Sequence, residues 1–235
     1  INDFNGDGIN EVIGTLGTID LPIAHDINDL GLENPERDLR FADFNNDGML
    51  DAISNVYSDS EGLIKLYWGV LDNKFQLDST FSKNKFRGFG ETIVVADLNN
   101  NGLLDIFIPQ YKIIGSDNLY SRNLLLKNNG NQSFTEVAIE AGVTETLFAK
   151  QPEAAQAVDI NFDGFIDLYV GGSLLLNKGN FTFYDITLSA GLDGQLDEGA
   201  KFFDFDLDGD LDFIYHPAFY PPKLLINKSP DNDNL

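Results

Sequence analysis

The 235-residue chain has no cysteine. Disulfides and thiol nucleophiles are therefore excluded, and the composition leans towards a bacterial extracellular or surface protein, because secreted eukaryotic domains of this size often rely on disulfides. Histidine is nearly absent too. His25 and His216 are the only two, they lie in unrelated contexts, and a surface or packing role is expected of each rather than acid–base catalysis. There is no Gly-x-Ser-x-Gly elbow and no phosphate-binding loop, so no catalytic residue and no organic-cofactor residue is assigned. Positive charge is scarce: 15 basic residues face 38 acidic ones, for a formal charge of -23. Nucleic acid and anionic membrane surfaces repel such a chain and are excluded as primary partners. No apolar run approaches the ~20 residues that span a bilayer, so membrane insertion is not expected. The chain opens at Ile1-Asn2-Asp3 without an initiator methionine or a leader pattern, and reads as a processed or partial chain.

What is present is repetition. Five segments align without gaps: Asp3 to Glu11, Asp43 to Asp51, Asp97 to Asp105, Asp159 to Asp167 and Asp204 to Asp212. All fit D-x-[ND]-x-[DN]-G-x-x-[DE], at intervals that suit one four-stranded sheet plus loops of variable length. A second block recurs between them. Leu124 to Val143 matches Leu174 to Leu192 with Leu124 aligned to Leu174, and a truncated copy begins at Leu224. Each block reads as a strand, a tight Asn/Gly turn and a second strand. Short β-branched or aromatic runs flank the acidic loops: Thr92 to Ala96 and Ala200 to Phe203 enter them, and Ile106 to Ile108, Leu168 to Val170 and Phe213 to Tyr215 leave them. No stretch sustains a helical period, so the fold is expected to be all-β.

The loops have the chemistry of calcium sites. Ca²⁺ takes six to eight oxygens, and side chains at positions 1, 3 and 5 of a tight loop converge while the carbonyl of position 7 and a carboxylate at position 9 close the shell. Glycine at position 6 permits the reversal. The expected ligands are Asp3, Asn5, Asp7, Ile9 and Glu11; Asp43, Asn45, Asp47, Met49 and Asp51; Asp97, Asn99, Asn101, Leu103 and Asp105; Asp159, Asn161, Asp163, Phe165 and Asp167; and Asp204, Asp206, Asp208, Asp210 and Asp212. An Asx-Gly turn needs no metal, but a turn alone does not require acids at positions 1 and 9 as well. Side-chain carboxylates at positions 1, 3, 5 and 9 number 3, 3, 2, 3 and 4 along the series. Crowding them without a cation would cost several kcal/mol per loop. The third loop should bind most weakly and the fifth most tightly, and five divalent ions would take the formal charge from -23 to -13. EF-hands are excluded: position 12 is Gly14, Ser54, Ile108, Val170 and Tyr215 in turn, where that motif needs a bidentate glutamate between helices.

With these loops followed by apolar strands, and with the Leu-Leu-x-Asn-x-Gly-x-Phe blocks between them, the chain resembles the FG-GAP/VCBS repeats of integrin-α-like β-propellers. The resemblance implies a calcium-stiffened propeller of about five visible blades, each loop joining the first two strands of its blade. It implies one domain over 1–228, with a polar tail at 229–235, and ligands at positions 1, 3, 5, 7 and 9. Because the strand that should precede Asp3 is missing, the chain is expected to be a ring closed by an exchanged strand or part of a longer propeller. The incomplete first blade offers an edge for self-assembly.

Other residues carry less. Tyr67 and Trp68 suit sugar stacking, but an inter-blade core role is the safer expectation. Phe219-Tyr-Pro-Pro222 looks like an exposed aromatic loop. Asn131, Asn180 and Asn227 fit the N-glycosylation sequon, two of them at expected turns. The expected function is a non-enzymatic extracellular or cell-surface module for recognition or assembly, binding proteins or glycans, with a polysaccharide-active enzyme or its lectin-like part as the alternative.

Overall fold

The computed structural model describes residues 12–13, 24–25, 28–33, 37–56, 63–83, 86, 90, 92–110, 122–144, 152–192, 197–217 and 219–227. Its strands, in chain order, are β1 (Val12–Ile13), β2 (Ala24–His25), β3 (Leu39–Ala42), β4 (Asp51–Val56), β5 (Leu63–Val70), β6 (Lys74–Leu77), β7 (Val94–Ala96), β8 (Asp105–Ile108), β9 (Leu124–Asn128), β10 (Phe134–Glu136), β11 (Ala155–Val158), β12 (Asp167–Val170), β13 (Ser173–Asn177), β14 (Phe183–Asp185), β15 (Asp197–Phe203), β16 (Asp212–Pro217) and β17 (Lys223–Leu225). Two one-turn helices, α1 (Ser79–Lys83) and α2 (Ala138–Ala141), follow β6 and β10.

The strands form four antiparallel meanders in which chain order and sheet order coincide: β3 to β6, β7 to β10, β11 to β14, and the three-stranded β15 to β17. β1 and β2 form a separate parallel pair. The all-β expectation holds in this form: four antiparallel sheets of three or four strands.

Side-chain alternation explains how the sheets stack. β8 and β12 are buried at every position, the continuous apolar pattern of a sheet covered on both faces. Ile106 and Ile108 pack with Ile53, Ile64 and Leu66 of the first meander. Phe107, between them, points the other way and packs with Leu168 and Val170 of the third. Tyr169 in turn leaves that cluster and joins Phe213 and Tyr215 of the last meander. Each of the two middle sheets thus shares one apolar layer with the sheet before it and another with the sheet after. Burying each Ile, Leu or Phe in these layers contributes roughly 1.5–3 kcal/mol. The first strands of successive meanders, β7, β11 and β15, also adjoin one another along one side of the stack.

Tyr67 and Trp68 take the core role. Tyr67 is buried with Leu30, Leu32 and Phe75, and Trp68 packs against the layer between the first two meanders. The Trp68 indole donates to Asp78 Oδ2 at 2.9 Å. Asp78 Oδ1 accepts the Thr80 and Phe81 amides at 2.7 and 2.9 Å, an N-terminal cap that starts α1 and delivers Phe81 to the core.

The structure also corrects the repeat register. β9 pairs Leu126 with Ile106 and β13 pairs Leu175 with Leu168, so Leu125, not Leu124, stands where Leu174 does. With that one-residue change the blocks match without a gap: Asn128 falls on Asn177, Phe134 on Phe183 and Gly142 on Gly191. In the first block the second strand is only Phe134–Glu136; α2 follows, ended by Gly142 at φ 76°, whose amide bonds back to Ile139.

Candidate metal-binding loops

The loops at 43–51, 97–105, 159–167 and 204–212 each join the first two strands of a meander, with position 9 as the first residue of the second strand. The loop at 3–11, with Asp3, Asn5, Asp7, Ile9 and Glu11, lies outside the described residues.

One skeleton recurs in all four. The position 1 carboxylate spans two amides: Asp43 accepts from Asp47 N (3.1 Å) and Gly48 N (2.9 Å), and Asp97, Asp159 and Asp204 accept from the equivalent pairs. The position 5 side chain accepts from the position 7 amide, as in Asp47 with Met49 N at 2.8 Å, and likewise Asn101 with Leu103 N, Asp163 with Phe165 N and Asp208 with Asp210 N. Positions 4 and 6 are both left-handed: Asn46, Asn100, Phe162 and Leu207 at φ 55–63°, and Gly48, Gly102, Gly164 and Gly209 at φ 82–95°. Asparagine tolerates that conformation better than phenylalanine or leucine, yet Phe162 and Leu207 adopt it with their side chains exposed.

Position 9 behaves differently. Asp51, Asp105, Asp167 and Asp212 are fully buried. One oxygen of each accepts the position 2 amide of its own loop: Phe44, Leu98, Ile160 and Phe205, at 2.7–3.1 Å. The other accepts an amide of the third strand or the residues after it: Gly69, Asn128, Asn177 and Asn227, at 2.7–2.8 Å. Each carboxylate therefore ties its loop to its own sheet. Burial outweighs those bonds in Asp51, Asp105 and Asp167, and raises each pKa to about 6.

The acids at positions 1 and 9 thus have backbone partners of their own. Their presence is compatible with a self-organised turn, and the case for a metal rests on how carboxylates converge. Among the described residues three carboxylates converge at 204–212 alone, where Asp204, Asp206 and Asp208 offer oxygens that all lie within 4.8 Å of one another. Asp210 adds a side chain that sequence reasoning passed over, having valued only its carbonyl. Its Oδ1 is buried without a hydrogen-bond partner among the described residues. Asp206 and Asp210 both have raised pKa values, through desolvation first and then the charge of Asp208. An orphaned carboxylate oxygen beside three converging carboxylates fits a hard cation with oxygen ligands. At 43–51 and 159–167 the position 3 amide group fills part of this role, since Asn45 and Asn161 donate to the position 5 carboxylates at 2.9 and 3.0 Å. Asn99 instead donates to Asp105 at 2.9 Å.

Adjacent loops touch. Asn46 Nδ2 donates to the Gly102 carbonyl (3.3 Å) and Asn100 Nδ2 to the Gly164 carbonyl (2.8 Å). Beneath them, Asn128 Nδ2 donates to Phe44 O (2.8 Å) and Leu104 O (3.1 Å), and Asn177 Nδ2 to Leu98 O (2.8 Å) and Ile166 O (3.0 Å). These asparagines were missed as functional residues; the signal was the Leu-Leu-x-Asn block, obscured by the register slip.

Of the remaining residues, Asn131 and Asn180 are exposed at hairpin turns and Asn227 is half-buried. His216 is exposed, as is Phe219, which is left-handed at φ 71°.

Comparison with known proteins agrees with the loop pattern. Residues 43–108, which hold the second and third loops, match the model of the FG-GAP-like repeat family. No curated protein matches the chain. Among solved structures, that of the V. cholerae biofilm matrix protein Bap1 is similar at 16% identity and a TM-score of 0.41, covering 75% of this chain. The chain spans only 23% of the length of that protein. On the family match and the loops it covers, this chain carries an FG-GAP-like repeat.

Proposed function

We propose that the chain is a non-enzymatic, calcium-stabilised module for extracellular recognition or assembly, its four meanders forming successive blades of a propeller. The observation that carries this reading is the loop at 204–212, where Asp204, Asp206 and Asp208 converge and Asp210 leaves a buried oxygen unpaired. When bound, calcium neutralises these crowded carboxylates. The ligands are the side chains at positions 1, 3, 5 and 9 and the position 7 carbonyl in each repeat, up to five ions in all, with the Asp210 carboxylate as an additional oxygen donor.

The chain's own residues do the rest. Position 1 holds the loop backbone in its turn, position 9 fixes the loop to the sheet, and the apolar layers keep successive sheets in register. Such a stack presents rigid faces and loop tips, which suits adhesion to proteins or glycans and assembly through the repeat that begins at Asp3.

Incubation of the calcium-loaded protein with a panel of polysaccharides and matrix proteins separates the possibilities. Retention of a ligand without cleavage is the expected outcome. Release of reducing or unsaturated ends would reassign the chain to the polysaccharide-active enzymes.

A further inference from the structure

We propose that Asn128 and Asn177 are positioning residues that couple neighbouring loops, so that filling one loop with calcium raises the affinity of the next. The inference rests on the calcium reading above.

Its basis is a continuous buried path. Asp51 accepts from Phe44 N at 2.9 Å; the carbonyl of Phe44 accepts from Asn128 Nδ2 at 2.8 Å; and Asn128 N donates to Asp105 at 2.8 Å. The same pattern continues. Asp105 accepts from Leu98 N at 3.1 Å, Leu98 O from Asn177 Nδ2 at 2.8 Å, and Asn177 N donates to Asp167 at 2.7 Å. Six hydrogen bonds thus join the position 9 carboxylates of three successive loops, with each asparagine as the only side chain between one carboxylate and the next. Asn128 and Asn177 are 1% and 3% exposed.

The residue type follows from the task. Each side chain donates to two carbonyls, position 2 of the preceding loop and position 8 of its own, while its Oδ1 accepts from Gly130 N or Gly179 N. Two donors and one acceptor on so short a stem are the asparagine inventory. A cation drawing on the position 1, 3, 5 and 9 side chains fixes the loop backbone. A loop so fixed presents its position 2 carbonyl to the next repeat in bonding geometry, which lowers the cost of ordering that repeat. Coupling of this kind is reciprocal. The surface bonds from Asn46 and Asn100 reinforce the same two junctions. At the third junction position 4 is Phe162, which has no donor.

The test is a loop-resolved calcium titration. The amides of Gly48, Gly102 and Gly164 are each held by a position 1 carboxylate at 2.7–2.9 Å, so their NMR shifts report the three loops separately. Disabling the middle loop with Asp97→Ala should raise the calcium midpoints of both Gly48 and Gly164 by at least about fivefold, the low end of ordinary coupling. Adding Asn128→Ala should sharply weaken the response of the Gly48 midpoint to Asp97→Ala, leaving only the Asn46 contact, while Gly164 still responds through Asn177. Asn177→Ala should give the mirror result, and it serves if Asn128→Ala does not fold. Midpoints for Gly48 and Gly164 that ignore Asp97→Ala in the otherwise native chain would overturn the coupling and leave the calcium sites standing. So would a Gly48 response that persists undiminished without Asn128. Absence of any calcium-dependent shift at all three glycines would instead remove calcium from these three loops, and the coupling with it, while the site at 204–212 is read separately at Gly209.

Discussion

Replacing Asp212 with asparagine isolates the structural task of position 9 from any metal. Asp212 is fully buried; its Oδ2 accepts Phe205 N at 2.7 Å and its Oδ1 accepts Asn227 N at 2.8 Å. Asp212→Asn keeps the shape but turns one acceptor into an NH₂ group, which faces a backbone N–H and can accept nothing. One charge-assisted hydrogen bond is lost and one buried donor is left unpaired, together about 2–4 kcal/mol. That is a large part of the roughly 5–15 kcal/mol that holds a domain folded. At about 2–4 °C per kcal/mol for a chain of this size, the melting temperature should fall by about 4–16 °C. Circular dichroism melts of wild type and variant, in calcium and in excess chelator, measure it. The loss should persist in chelator, because one of the two amides loses its acceptor whether or not a metal is bound. A variant that matches wild type in chelator, and differs only in calcium, would refute the assignment of position 9 as a backbone tie.

Three further outcomes follow from the same geometry. In the metal-free protein Asp51, Asp105 and Asp167, whose pKa values burial raises from the ordinary carboxyl range to about 6, bind protons more tightly folded than unfolded; their contribution is fully present below pH ~4 and lost as pH rises through ~6. Melts in chelator should therefore show stability rising between pH 7 and pH 5, and a fall over that interval would contradict it. Phe162→Asn removes a left-handed phenylalanine and supplies the donor that Asn46 and Asn100 provide at the other junctions, so it should stabilise by about 1 kcal/mol, read as a higher melting temperature. Gly69→Ala should destabilise the chain more than Gly48→Ala. A Cβ at residue 69 would stand 2.4 Å from the Leu50 carbonyl oxygen, whereas one at residue 48 meets nothing within 4 Å and costs only the ~1 kcal/mol of left-handed strain.

Much of the fold is legible in local patterns. Apolar runs such as Ile106–Ile108 and Leu168–Val170 announce strands, and each acidic loop marks a turn between strands because its glycine and Asx residues are needed for the reversal itself. What the sequence conceals is non-local. The hydrogen bond from Asn128 to Phe44 spans 84 residues, and no local pattern announces which carbonyl a strand-end asparagine will meet. The division of labour among the acids is equally hidden: positions 1 and 9 read alike as carboxylates, yet one caps exposed loop amides while the other is buried in its sheet. The Asp210 side chain was discounted because the motif assigns that position a carbonyl, whose role does not depend on residue type.

Calorimetric titration of the stripped protein with calcium, paired with melts at the same concentrations, decides whether these loops are calcium struts. Up to five ions should bind per chain, the tightest phase should be lost in Asp206→Asn, and the melting temperature should climb with calcium by mass action, about 2.7 kcal/mol per site at a hundredfold excess over Kd. A titration without heat and a melting temperature indifferent to both calcium and chelator would contradict it.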